Sequence, residues 1–115
     1  VQPVWIFDID NKCMKWANEA AVELWNASSL QELLDRNYSD MTDATFTRLK
    51  SYQPEFNQGQ RIFDQSTLYP KGEAKTVHIT ISGIRLSAGE PNPSMLCEGR
   101  PVLNDKIQPE TLRGV

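Results

Sequence analysis

The sequence predicts an α+β domain, a five-stranded antiparallel sheet with short helices packed on one face. Three observations point to it. Thr76-Val77-His78-Ile79-Thr80-Ile81-Ser82 alternates polar and apolar residues without interruption, the period-2 signature of a strand with one dry face. Near the start, Val4-Trp5-Ile6-Phe7 and Lys12-Cys13-Met14-Lys15-Trp16 flank a turn-forming Asp8-Ile9-Asp10-Asn11, which reads as a hairpin. Between these strand regions lie helix caps followed by apolar residues at helical spacing. Strands, then helices, then strands again is the layout of an antiparallel sheet with grouped helices.

After the first hairpin, Asn18 stands at an N-cap position, with Glu19 placed favourably against the helix dipole. Ala17, Ala21, Leu24 and Trp25 then form one apolar stripe. Ser29 and Glu32 make a capping box for a second short helix carrying Leu30, Leu33 and Leu34. Thr42 or Asp43 caps a third, with Phe46, Leu49 and Tyr52 or Gln53 on one side, which Pro54 bends or interrupts because proline lacks the N–H and crowds the preceding turn. Gly59 closes it. From Gln60 to Leu86 two extended runs fold about Tyr69-Pro70-Lys71-Gly72, whose proline and glycine suit a type I turn. At Gly83 the alternation changes phase, with Ile84 and Leu86 now apolar, which predicts a β-bulge. Ala88 to Pro93 is a loop by composition, Ser94 to Gly99 a fifth strand, and Pro109-Glu110 the first turn of a further helix.

At 115 residues the chain has room for one domain and one core. Its net charge of −3, from 12 basic and 15 acidic residues scattered along the chain, leaves no basic footprint for nucleic acid or an anionic membrane surface. No apolar run approaches the ~18 residues of a bilayer span, and no signal segment opens the chain. These features predict a soluble, cytoplasmic domain with no nucleic-acid partner and no membrane contact. Cys13 and Cys97 fall in separate strands and read as reduced, buried thiols. The opening without methionine and the ending Thr111-Leu112-Arg113-Gly114-Val115 predict a segment of a longer protein.

Catalytic signals are sparse. Phe7-Asp8-Ile9-Asp10 has the form of an apolar strand ending in a phosphohydrolase nucleophile and general acid. However, Lys12 stands where that chemistry wants Thr or Val, so turn residues are the better reading and a phosphohydrolase using Asp8 and Asp10 the lesser alternative. His78 is the only histidine, so the chain alone has no Ser-His-Asp set or multi-histidine metal site. Its place in the alternation puts it on the wetter face of its strand. No glycine-rich phosphate loop is present.

The run Val4 to Asp10, the Trp16-Ala17-Asn18-Glu19-Ala20-Ala21 start of the first helix, the Leu68-Tyr69-Pro70-Lys71-Gly72 hairpin and the ending Met95 to Val102 together resemble a PAS domain, the sensory module of bacterial signal-transduction proteins. The resemblance covers residues 3 to 102, and it departs from the family at Glu98-Gly99-Arg100-Pro101-Val102, which lacks the usual Asp-x-Thr. It implies a sensory domain at 1–102 and the start of a C-terminal linker at 103–115. It further implies a pocket between the inner sheet face and the third helix, with Trp16, Trp25, Phe46, Leu49, Ile79 and Ile81 as its ligand-binding residues. The implied function is non-catalytic: a small ligand or partner is sensed, and the signal passes to an output domain of diguanylate-cyclase or histidine-kinase type in the same polypeptide. A homodimer is expected, and the alternative is a ligand-free dimerisation module using the outer sheet face around His78, Thr80 and Ser82. Haem is disfavoured because the Asp43 to Gln58 stretch contains no histidine, and covalent flavin because Tyr38-Ser39-Asp40-Met41 contains no cysteine.

Overall fold

The computed structural model describes residues 2–68 and 75–101. The elements run β1 (Val4–Asp8), β2 (Cys13–Ala17), α1 (Glu19–Leu24), α2 (Leu30–Asp35), α3 (Asp43–Lys50), α4 (Gln53–Asn57), β3 (Ile62–Leu68), β4 (Lys75–Ile84) and β5 (Ser94–Pro101). The strands form one sheet in the order β2-β1-β5-β4-β3, with every neighbouring pair antiparallel. The last strand is thus the middle one, inserted between two hairpins. The expected turn at Tyr69–Gly72 and the expected linker at 103–115 lie outside the described residues.

The alternation in β4 has the predicted result. Val77, Ile79 and Ile81 are buried on the inner face, joined there by Trp5 and Phe7 of β1 and by Met95 and Cys97 of β5. The helices cover that face. Asn18 attaches the first of them to the sheet with one side chain. Its Oδ1 accepts from Ala21 N at 2.9 Å as an N-cap and from Val4 N at 3.1 Å, while its Nδ2 donates to Gln2 O at 2.9 Å. Ser29 caps α2 by accepting from Glu32 N, and Thr42 caps α3 by accepting from Thr45 N.

One expectation is met and one needs correction. Of the two outcomes expected at Pro54 the structure shows interruption: the third helix is split into α3 and α4, with Pro54 in the first turn of α4, where a missing N–H costs nothing. Gly59 ends α4 at φ +76°, a left-handed backbone that glycine adopts without strain. The bulge expected at Gly83 is absent, since β4 and β5 keep unbroken register from Val77 opposite Pro101 to Ile84 opposite Ser94. The glycine is required by packing. A Cβ on Gly83 would lie 2.5 Å from the Cβ of Phe56, so α4 approaches the sheet closely only because residue 83 has no side chain. Arg85 strengthens that approach by donating to Asn57 Oδ1 at 3.1 Å.

The register shift falls instead in the first hairpin. Ile6 pairs with Trp16 and Phe7 with Met14, leaving Lys15 as the extra residue of β2. Met14 is thereby buried while Trp16 stays 43% exposed.

The contact at Gly83 leads to a specific expectation. Gly83→Ala loses about 1–3 kcal/mol in urea unfolding through overpacking. Gly89→Ala, where a new Cβ meets nothing within 4 Å, stays within about 0.5 kcal/mol of the parent.

Candidate functional site

Between the inner sheet face and the helices lies a cavity of about 420 Å³. The sheet supplies its floor through Trp5, Phe7, Ile79, Ile81, Met95 and Cys97, each an inward position of β1, β4 or β5. Trp25 at the end of α1, Tyr38 in the α2–α3 connection, Leu49 of α3 and Tyr52 before α4 close it from the other side. Asp40, Thr42, Thr45 and Arg48 add polar groups.

The aromatic walls brace one another edge to face. Trp5 meets Trp25 at 5.9 Å and 85°, Trp25 meets Tyr38 at 6.2 Å and 90°, and Phe7 meets Tyr38 at 5.3 Å and 83°. Such T-shaped pairs suit the ring quadrupole and hold rings apart at a fixed angle. Burial pushes the Tyr38 hydroxyl up to about 12, so it stays protonated, and it donates to Leu33 O at 3.4 Å. Burial likewise pushes the Cys97 thiol upward, which leaves it a neutral apolar wall rather than a nucleophile.

Of the six residues expected at a pocket, the structure brings Trp25, Leu49, Ile79 and Ile81 together around this cavity and leaves Trp16 and Phe46 out of its wall. Trp16 stands on the outer face, opposite Ile6. Phe46 packs at the edge of the core beneath two ammonium groups, Lys12 Nζ 4.4 Å and Lys50 Nζ 5.9 Å from its ring centroid. Met95 and Cys97 belong to the wall although they were not singled out. Their shared parity in the fifth strand is the signal that could have found them, whereas Tyr38 sits in an irregular connection with no such period.

Asp8 and Asp10 are occupied by structural partners. Asp8 accepts from Asn11 N at 3.1 Å and from Asn11 Nδ2 at 2.8 Å, with Lys15 Nζ at 3.9 Å. Asp10 joins three parts of the chain: Oδ1 accepts from Lys50 Nζ at 2.6 Å and Gln53 Nε2 at 3.1 Å, and Oδ2 from Asn92 Nδ2 at 3.1 Å. These bonds fasten the α3–α4 break and the β4–β5 loop to the first turn. Among the described residues no group of three or more His, Cys, Asp or Glu side chains is placed to hold a metal ion, and no helix is long and apolar enough to cross a membrane. His78 lies on the outer face between Gln65 and Arg100 in register, beside a shallow groove that also includes Phe63 and Glu98.

No family model and no curated protein matches the chain. Solved structures do. The PAS domain of nitrogen regulation protein NR(II) from Vibrio parahaemolyticus superposes with TM-score 0.60 at 23% identity, covering 88% of this chain and 89% of that one. The LOV domain of the blue-light activated histidine kinase EL346 from Erythrobacter litoralis gives 0.60 at 14% identity, over 90% and 97%. VqmA, in a structure with DPO bound, gives 0.60 at 15% identity over 90% of this chain, which spans 54% of that protein.

The Asp10 bonds make stability depend on pH in a defined direction. Hydrogen bonds from Lys50 and then Asn92 hold the Asp10 carboxyl below its ordinary 3.8, against an opposing push from burial. A depressed folded value stabilises the protein above the unfolded value, and the contribution is lost as pH falls through the folded one. Asp10→Asn therefore costs up to about 1 kcal/mol at neutral pH for a solvent-exposed pair. In urea titrations between pH ~5 and ~3, the gap between parent and variant narrows as acid removes the same charge.

Proposed function

The chain has the PAS fold, and from that premise we propose that it is a non-catalytic sensory domain whose cavity takes a compact organic molecule and whose sheet passes occupancy to an output domain. The observation that carries this reading is the 420 Å³ cavity, within the range of small-molecule sites, walled by the three central strands. β5 is the natural relay. Met95 and Cys97 face the cavity from the middle of the sheet, and the same strand runs to Pro101, after which a linker and a histidine-kinase or diguanylate-cyclase output would follow. The likeness to the EL346 domain supports a kinase context, and the DPO-bound VqmA structure supports small-molecule occupancy.

A second reading has its own observation. The outer face exposes Phe63 at 76% and Trp16 at 43%, large apolar side chains of the kind that associate, so the domain also serves as a homodimerisation element through that face.

The two readings have separate tests. For the first, parent protein purified from its own cells, extracted and analysed by mass spectrometry, releases a small molecule that Thr45→Trp, which fills the cavity, does not. Identical extracts from both would count against ligand sensing. For the second, light scattering finds a dimer for the parent, and Phe63→Glu weakens it at least tenfold, about 1.4 kcal/mol, whereas an unchanged mass distribution would remove the outer face from the interface.

A further inference from the structure

One residue of the cavity wall, Trp25, carries a polar group with nothing to bond. The Trp25 Nε1–H is buried and has no hydrogen-bond partner, an arrangement that natural cores avoid because the donor loses water without replacement. Neighbouring polar groups are already engaged. The Tyr38 hydroxyl donates to Leu33 O, and the Thr42 and Thr45 hydroxyls bond each other at 3.0 Å. Cys97 is a protonated thiol in an apolar setting. Charge is confined to the exposed residues Asp40 and Arg48. Among the described residues of the wall, the Trp25 N–H is thus the buried donor left without a partner, and no carboxylate is buried beside it.

Building on the ligand-sensing reading above, we propose that the cavity selects compact, mainly apolar, uncharged molecules carrying a single hydrogen-bond acceptor of carbonyl type, and that Trp25 Nε1–H is its donor. An ammonium would find no buried carboxylate, and a polyol would bury more donors than the few hydroxyl oxygens of the wall accept. A carboxylate would be desolvated against a single N–H, at a cost that one hydrogen bond does not recover. The N–H is covered in the present arrangement, since its nitrogen has almost no accessible surface. Docking therefore requires a small rotation of the indole or of Tyr38, which meets it edge-on at 6.2 Å. Ring contacts of this type are individually modest, and side-chain shifts on binding are common. Selectivity and movement are thus one event: only a molecule with an acceptor compensates the indole for leaving its edge-on contacts.

The test uses a matched pair of probes, acetophenone and α-methylstyrene, which differ by C=O against C=CH₂. Both are titrated into ¹⁵N-labelled protein, with the Trp25 indole resonance assigned by its loss in Trp25→Phe. Acetophenone is expected to bind roughly five- to tenfold more tightly, the factor of one net hydrogen bond. It should also move the Trp25 indole proton downfield, while α-methylstyrene binds the cavity without that shift. Trp25→Phe should abolish the preference for acetophenone over α-methylstyrene, so that the ratio of the two affinities falls to about one. Equal affinities with an unmoved Trp25 proton, as when the N–H is satisfied by an aromatic face, would overturn the proposal while leaving the cavity a binding site. If neither probe perturbs the cavity in a way that Thr45→Trp removes, the ligand-sensing reading itself fails.

Discussion

A dry sheet face must be covered, and the elements available to cover it are too short to hold themselves together. The four helices among the described residues have between five and eight residues each, well under the ~12–15 at which an isolated helix becomes even marginal in water. Their positions are therefore set by what fastens them to the sheet. Asn18 fastens α1 to β1, the Asp10 carboxylate fastens the α3–α4 break to the first turn, and the missing side chain at Gly83 lets Phe56 bring α4 against β4. The first two are polar contacts, and the third is an apolar one that a missing side chain makes possible. They are the points at which the apolar cover is registered on the sheet.

The same fastenings explain why the cover does not collapse onto the sheet. Collapse would bury more apolar area, at roughly 25 cal/mol per Å². Asp10, however, holds Lys50 and Gln53 at fixed distance, and three edge-on ring pairs among Trp5, Trp25, Tyr38 and Phe7 act as spacers. At α4 the balance runs the other way. There Gly83 admits close contact, and the space between sheet and helix is filled by Phe56. The domain is tightly packed at one end and hollow at the other, and the boundary between the two is the α3–α4 break.

How much of this was legible in the sequence depended on whether a feature has a period. The alternation from Thr76 to Ser82 gave the inner face of β4, and Asn18, Ser29 and Thr42 announced their helices through cap chemistry that acts within three residues. The fold class follows from such local rules, whereas the six pocket residues came from the family resemblance, and the structure sets four of them, Trp25, Leu49, Ile79 and Ile81, around the cavity. Trp16 was misplaced because an extra residue at Lys15 shifts the ladder, and nothing in the composition of β2 signals it. Phe46 was misplaced because its spacing shows only that it faces inward, whereas Lys12 and Lys50 hold it at the rim. The glycine at 83 was visible, but the reason for it, Phe56, lies 27 positions earlier. Ile9 shows the same limit: a turn by its neighbours, yet buried to 1% in the core. Long-range packing leaves no periodic trace.

β5 joins the two surfaces on which the proposed function rests. Met95 and Cys97 look into the cavity, while Leu96 and Glu98 alternate to the outer face, where Leu96 stands opposite Ile6 and Glu98 opposite Val4 and Thr80. The cavity and the outer face are therefore separated by the thickness of one backbone. A ring that rotates against Cys97 or Trp5 pushes on a strand hydrogen-bonded on both edges, and Gly99 of that strand already lies so near Trp5 that an added Cβ would come within 3.1 Å of its ring. Such a strand cannot absorb the displacement by fraying at an edge, because it has none. It can only shift with its neighbours, and that shift alters the outer face along the row from Val4 through Glu98 and Thr80 to Phe63. The ligand sensing and dimerisation proposed above would in this geometry be two faces of one strand's response.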